Sequence, residues 1–232
     1  MKIIAHRGDS IAFPENTMAA FQSAWAKGVH GIELDVQCSR DGRIVVFHDE
    51  DGRRLAGKSG RISGSNWEDL RAWRIGGEPM PLLEDIMAAM PVDTLTLIEL
   101  KCDAAAVPSI HSQLSSIRGK QFALLTFYPE VAKAASLREF PVWLNVEPDA
   151  GMGIDDLILL SQHIGLRGLS LGWSPRLTRN HFQAIKQAGL ASAVWTVNDE
   201  HVAALLNTWP VDLLMTDDPG RMLKAFHKIS AN

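Results

Sequence analysis

Cysteine is nearly absent: Cys38 and Cys102 are the two thiols in 232 residues, far apart in the chain. They build no disulfide framework and no Cys-x-x-Cys metal spacing, so a reduced, cytoplasmic protein is expected. Long apolar runs are missing too, and nothing approaches the ~18 residues of a membrane span. The opening Met1-Lys2-Ile3-Ile4-Ala5-His6-Arg7 turns charged without an apolar core, so neither a signal peptide nor integral membrane contact is expected. There is no basic stripe. Lys and Arg number 23 against 27 Asp and Glu, a net charge of −4, which excludes a non-specific nucleic-acid binder. Glycine and proline, at 18 and 11, are too few for a collagen-like or disordered chain. What remains is a globular composition, 46% hydrophobic and 22% charged, at a length that suits one α/β barrel.

Short apolar runs alternate with helical patterns almost from end to end. Residues 2–5 form a β-type run that ends at His6. Asn16 is placed to cap a helix over 17–27, where Met18, Phe21, Ala24 and Trp25 make one apolar face and Gly28 closes it. Residues 31–37 read as the next strand, and Asp41-Gly42 before the run 44–47 predicts a tight reversal. Residues 50–81 break the rhythm. Rich in Gly, Arg and Ser, with Trp67 and Trp73 embedded, they read as an insertion carried on a rigid scaffold. Beyond it, strands are predicted over 95–100, 122–127, 142–146, 169–172, 193–197 and 213–216. Helices are predicted between and after them, over 104–117, 129–138, 154–164, 178–188, 200–207 and 221–227. Such alternation means a parallel sheet with right-handed crossovers. About eight such units predict a closed (β/α)8 TIM barrel, with residues 1–232 as one domain. No Gly-x-Gly-x-x-Gly follows the first strand, which argues against an open dinucleotide-binding sheet.

In a parallel barrel, strand residues i and i+2 share a face, and strand C-termini look into the mouth. Glu33 and Asp35 are such a pair, with Ile32, Leu34 and Val36 packing outward; Glu99 and Lys101 are a second pair. Lone buried carboxylates are costly, so three of them with one lysine require compensation. A divalent cation is the simplest, and all-oxygen ligands suit Mg2+ or Ca2+ rather than Zn2+. The alternative is a structural salt-bridge cluster of Glu99 with Lys101 or Arg7. Of the eight histidines, His30, His111, His163, His181, His201 and His227 read as surface or satisfied residues. His6 and His48 instead end strands beside the acidic pair. Two imidazoles can divide general-base and general-acid work around one bond. Arg7 adds a planar donor for phosphate oxygens and Lys101 a point charge. Together these groups describe phosphoryl chemistry; sugar hydrolysis would need only two carboxylates.

An ordered series of short motifs carries a resemblance. His6-Arg7-Gly8, Pro14-Glu15-Asn16-Thr17, Glu33-Leu34-Asp35-Val36, Asp41-Gly42, His48-Asp49 and Glu99-Leu100-Lys101 resemble the signatures of the glycerophosphodiester phosphodiesterases. Weaker matches follow at Pro81-Leu82-Leu83-Glu84 and Trp195-Thr196-Val197-Asn198, so the likeness runs from His6 to about Asp218. It implies a TIM barrel with a small insertion after the His-Asp motif, and one divalent cation, Mg2+ or Ca2+, on Glu33, Asp35 and Glu99. It further implies His6 and His48 as the acid/base pair, Arg7 and Lys101 on the phosphate, and Trp195 facing the substrate. The short chain is similar to the cytoplasmic bacterial members. The pattern departs at Arg53-Arg54-Leu55 and Gly57-Lys58-Ser59-Gly60, where the family reads Arg-Thr and Gly-x-Gly, and at Thr126-Phe127 in place of Ser-Phe.

The expected substrate is a small glycerophosphodiester, a deacylated phospholipid head group, cleaved to glycerol 3-phosphate and an alcohol. Attack by the glycerol 2-hydroxyl is favoured by proximity, with one histidine as base and the other as acid before water opens the cyclic phosphate; His6 is the favoured base and His48 the favoured acid, an order the sequence itself does not fix. Three rivals bracket this reading. An amidohydrolase would carry His-x-His after the first strand. A lysophospholipase D-like enzyme would expose an apolar rim on the insertion. A non-catalytic phosphodiester-binding barrel would have lost a histidine or a carboxylate. Elsewhere, Trp25, Trp143 and Trp209 are expected to be core or helix-packing residues, and Trp67 and Trp73 to seat the insertion on the barrel. Cys38 and Cys102, each just past a motif strand, are expected to be free thiols. Asp217-Asp218-Pro219 reads as a helix N-terminal cap.

Overall fold

The computed structural model describes residues 1–117, 119–148 and 150–230. Among them, eight strands run parallel: β1 (Lys2–His6), β2 (Gly31–Cys38), β6 (Leu95–Leu100), β7 (Gln121–Thr126), β8 (Val142–Val146), β9 (Gly168–Gly172), β10 (Ala191–Trp195) and β11 (Leu213–Thr216). Each pairs with the next, and β11 pairs back onto β1 with Lys2 beside Leu213, which closes the (β/α)8 barrel. The remaining strands lie outside the ring. β3 (Ile44–Val46) runs antiparallel to the end of β2, as the Asp-Gly turn requires, and β4 (Arg74–Ile75) pairs with β5 (Glu78–Pro79) in a small hairpin.

The helices are α1 (Met18–Ala26), α2 (Arg53–Ala56), α3 (Trp67–Leu70), α4 (Leu83–Ala89), α5 (Val107–Leu114), α6 (Pro129–Ser136), α7 (Ile154–Ile164), α8 (Arg179–Gln187), α9 (Glu200–Asn207) and α10 (Pro219–Ser230). The helix expected over 104–117 divides into a 3-10 turn, Ala104–Ala106, and α5, where Pro108 sits in the first turn and its missing N–H costs nothing. Two expectations at α1 change. Thr17, not Asn16, is the N-cap, its Oγ1 accepting from the Ala20 N–H at 3.3 Å. Asn16 is freed by a left-handed backbone, φ +59°, that turns its side chain inward.

Strand alternation divides the core as period-2 geometry demands. Ile32, Leu34 and Val36 point out into the apolar layer beneath the helices. Inward, Ile4, Leu97, Ala123, Trp143, Ala193 and Leu213 fill the barrel. The insertion has its own small core. Trp73 is buried there, edge-on to Phe47 at 6.1 Å, with Ile62, Leu70 and Ile75 around it. Trp143 lies inside the barrel, whereas Trp25 and Trp209 pack half-buried against the outer apolar layer. The inward positions above the barrel's apolar floor, at the C-terminal ends of the strands, carry the charges.

Candidate active site

The first side of the site is built by the β1–α1 turn. Arg7 is left-handed, φ +57°, and Gly8 follows at φ +85°. A Cβ at Gly8 would meet Ala20 of α1 at 2.7 Å, so glycine is required there both by the turn and by the closeness of the helix. The twist aims the Arg7 N–H at Glu33 Oε2, 3.1 Å away. Backbone held in this sparsely populated region by a neighbouring carboxylate is typical of a functional site. The Arg7 guanidinium donates to Glu15 Oε1 at 2.8 Å and lies 3.2 Å from Asp35 Oδ2.

Glu33 and Asp35 on β2 and Glu99 on β6 are all buried, and Asp35 sits beside Glu99 in the strand register. Each offers a carboxylate oxygen, and these oxygens lie within 4.8 Å of one another. Asn16 Nδ2 donates to Asp35 Oδ2 at 2.8 Å, and Lys101 pairs with Glu99 and approaches Asp35 Oδ1 at 3.5 Å. Asp35 Oδ1 is nonetheless enclosed without a hydrogen-bond partner among the described residues. Burial, with the charges of Asp35 and Glu99 beside it, pushes Glu33 well above the usual carboxylate range. Burial and the charge of Asp35 push Glu99 up to about 7. Asp35 is held low despite its burial, by Arg7 and then Lys101. Three inward carboxylates, an orphaned oxygen and all-oxygen chemistry fit a hard divalent cation.

Each histidine is held at Nδ1 by an aspartate. His6 Nδ1 is 2.7 Å from Asp217 Oδ1, and its Nε2 is 3.9 Å from Glu33. Asp217 accepts further from Ser10 Oγ at 3.2 Å and Asn198 Nδ2 at 2.7 Å. Burial would raise Asp217, but its hydrogen bonds from His6 and Asn198 keep it below the ordinary range. His48 Nδ1 is 2.7 Å from Asp49 Oδ1. Burial lowers the proton affinity of His48, helped by the charges of Arg7 and Lys101. Arg54 of α2 grips both oxygens of Asp49, at 2.7 and 2.8 Å, and both of Glu15, each at 2.8 Å. These bonds hold Asp49 down to about 2 and tie His48 through Arg54 and Glu15 to Arg7.

These side chains enclose a cavity of about 220 Å3 at the barrel mouth. His6, Arg7, Glu33, His48, Glu99, Lys101 and Trp195 all line it, with Asp35 just behind. Trp195 donates from Nε1 to the Ser170 carbonyl at 3.1 Å and meets Phe127 edge-on at 5.7 Å, while Lys101 Nζ stands 5.3 Å over the same Phe127 ring. All eight residues singled out from the sequence therefore converge. Glu15, Asn16 and Arg54 were not assigned to the site, although all three lie in quoted stretches and Asn16 was read as a helix cap. Asp217 corrects its earlier reading. The cap of α10 is Asp218, whose Oδ1 accepts from the Arg221 N–H at 3.0 Å, while Asp217 turns to His6. Cys38 and Cys102 are free thiols in hydrogen-bond contact with each other.

A family model described as the glycerophosphoryl diester phosphodiesterase family matches residues 6–107 and 123–221. The "Probable glycerophosphodiester phosphodiesterase 2" of Mycobacterium tuberculosis is 31% identical over 231 residues, covering 92% of this chain and 86% of that protein. The glycerophosphodiester phosphodiesterase of Caldanaerobacter subterraneus is 29% identical, covering 97% and 98%. Among solved structures, an Oleispira antarctica phosphodiesterase in complex with the product sn-glycerol-3-phosphate superposes with a TM-score of 0.87. It is 24% identical and covers 98% of this chain and 97% of that one, a likeness of fold.

Proposed function

The chain belongs to the glycerophosphoryl diester phosphodiesterase family, and from that premise we propose that its 232 residues form one catalytic domain that hydrolyses glycerophosphodiesters to glycerol 3-phosphate and an alcohol. The observation that carries this reading is two aspartate-held imidazoles and three buried carboxylates around one cavity. The product bound in the Oleispira phosphodiesterase supports the choice of substrate.

Glu33, Asp35 and Glu99 would hold a divalent cation, Mg2+ or Ca2+, which when bound supplies Lewis-acid polarisation of a phosphate oxygen. Arg7 and Lys101 hold the phosphate and offset charge that builds on its oxygens. The glycerol 2-hydroxyl is already tethered near phosphorus, so its attack needs no second molecule. His6, its Nδ1 proton held by Asp217, takes the hydroxyl proton at Nε2. The bond from phosphorus to the leaving oxygen breaks as His48 delivers a proton to that oxygen. Water then opens the cyclic phosphate with the two roles exchanged. The insertion supports small, water-soluble substrates over lysolipids: none of its large apolar side chains is exposed, Leu55 and Trp67 being half-buried and Trp73 buried.

The test is glycerol 3-phosphate release from glycerophosphocholine and glycerophosphoethanolamine, beside lysophosphatidylcholine, with and without chelator. Turnover should vanish in chelator and return with Mg2+ or Ca2+; turnover that survives chelation would remove the metal. His48→Ala should lose at least ~100-fold in kcat if His48 transfers a proton.

A further inference from the structure

Asn145 and Ser170 do no work in the mechanism above. Leu144 and Val146 face the helices, so Asn145 points inward from β8; Leu169 and Leu171 do the same on β9, so Ser170 points inward beside it. Asn145 is 5% exposed and Ser170 fully buried. The Oδ1 of Asn145 and the Oγ of Ser170 both lack a hydrogen-bond partner among the described residues. Enclosed polar atoms without partners are costly to fold, and a leucine would fit this apolar wall without that penalty. Asn145 lines the catalytic cavity, across from the acidic cluster, where Leu125 and Met215 form the floor.

We infer that Asn145 is a specificity-determining residue whose amide hydrogen-bonds a hydroxyl of the glycerol half of the substrate, with the buried Ser170 behind it on β9. This rests on the phosphodiesterase reading. A glycerophosphodiester has one small constant half and one variable half. The enclosed end of the cavity suits the constant half, and the open side, where the exposed Glu147 continues into the next cleft, suits the variable alcohol. A buried amide that needs a hydroxyl discriminates sharply against an analogue without one, because the amide is then left unpaired.

The experiment is calorimetric titration of the Mg2+-loaded protein with sn-glycerol 3-phosphate and with propyl phosphate, which has the same carbon chain without hydroxyls. The wild type should bind glycerol 3-phosphate at least about tenfold tighter, the worth of one good hydrogen bond to a buried group. Asn145→Leu should erase most of that preference by weakening glycerol 3-phosphate alone. Asn145→Ala should act the same way, and inorganic phosphate affinity should be equal in all three proteins as the control for folding. An unchanged preference in both variants, a wild type without preference, or equal weakening of all three ligands would overturn the assignment. A wild type that binds as expected yet cleaves no phosphodiester would instead overturn the functional reading and leave the polyol site standing.

Discussion

His6 takes its orientation from across the barrel seam. Asp217 is 211 positions away in the chain, yet closure of β11 onto β1 brings its carboxylate to 2.7 Å from Nδ1. Held there, the Nδ1 proton leaves Nε2 with its lone pair toward the cavity. Asp217→Asn should break this logic with almost no change of shape. An amide that donates to Nδ1 forces the other tautomer, with the proton on Nε2, where it can no longer accept one. The variant should lose at least ~100-fold in kcat/KM while its melting temperature and phosphate affinity stay near the wild-type values. Near-full activity would take Asp217 out of the mechanism. At this scale, legibility divides by range. Glu33, Asp35, Glu99 and Lys101 were readable because the i, i+2 rule places them on one face whatever the rest of the chain does. Asp217 was not, because its contact exists only after closure and because Asp218 beside it makes the cap that the sequence pattern announces. Asn16 was mistaken for a cap by residue type, since nothing local in the sequence fixes its φ at +59°.

The element that ties the two sides of the site together is α2, one helical turn inside the insertion. Its Arg54 is partly exposed, and exposed ion pairs contribute little stability. What the double fork to Asp49 and Glu15 contributes is position. It neutralises the carboxylate behind His48 and links it to the one behind Arg7. Replacing Arg54 by Gln would leave Asp49 an unopposed anion against Nδ1 and so stabilise the imidazolium, raising the proton affinity of His48. With His48 as general acid, the alkaline limb of the kcat/KM profile should then move to higher pH, with kcat/KM down roughly 10–100-fold, as for other supporting groups. A lower rate with an unmoved limb would mean that Arg54 only braces the insertion. The insertion's place, after His48-Asp49, could be read from the break in strand–helix rhythm. Its contents could not, because four-residue helices and a hairpin of two-residue strands are too short to show a hydrophobic period. β3 is the opposite case: its reversal was written in Asp41-Gly42, as the antiparallel pairing of Cys38 with Ile44 shows.

The barrel as a whole gathers charge that its sheet would otherwise exclude. Eight strands close a ring, their outward faces complete the apolar layer beneath the helices, and the inward faces above the floor concentrate carboxylates at one end. The architecture was legible because the pattern repeats around the whole ring, and one misplaced boundary, such as the β10 strand expected over 193–197 but found at Ala191–Trp195, shifts no neighbour. The same gathering makes stability depend on pH and on cations. Glu99 holds its proton up to about 7, above the 4.5 of a free side chain, and Glu33 is raised too. Between those limits the native state binds protons that the unfolded chain has released, so the metal-free protein loses stability as pH rises through that window. Asp35, held low, contributes the opposite slope only below the ordinary carboxylate range, and His48, its proton affinity lowered by burial, opposes the two raised carboxylates just below 6.5, one group against two. A divalent ion on these oxygens needs them deprotonated, so its stabilisation should grow over the same window in which the metal-free protein weakens. Thermal unfolding followed from about pH 5 to about pH 8 should therefore show a falling Tm in chelator. Mg2+ or Ca2+ should raise Tm by an amount that increases with pH and with ion concentration, corresponding to a stabilisation of ~2.7 kcal/mol at a hundredfold excess over Kd. Glu99→Gln should flatten the chelator curve and shrink the ion's effect. A Tm gain that is absent, or equal at both ends of the range, would mean that the three carboxylates form a salt-bridge cluster with Arg7 and Lys101 and hold no ion.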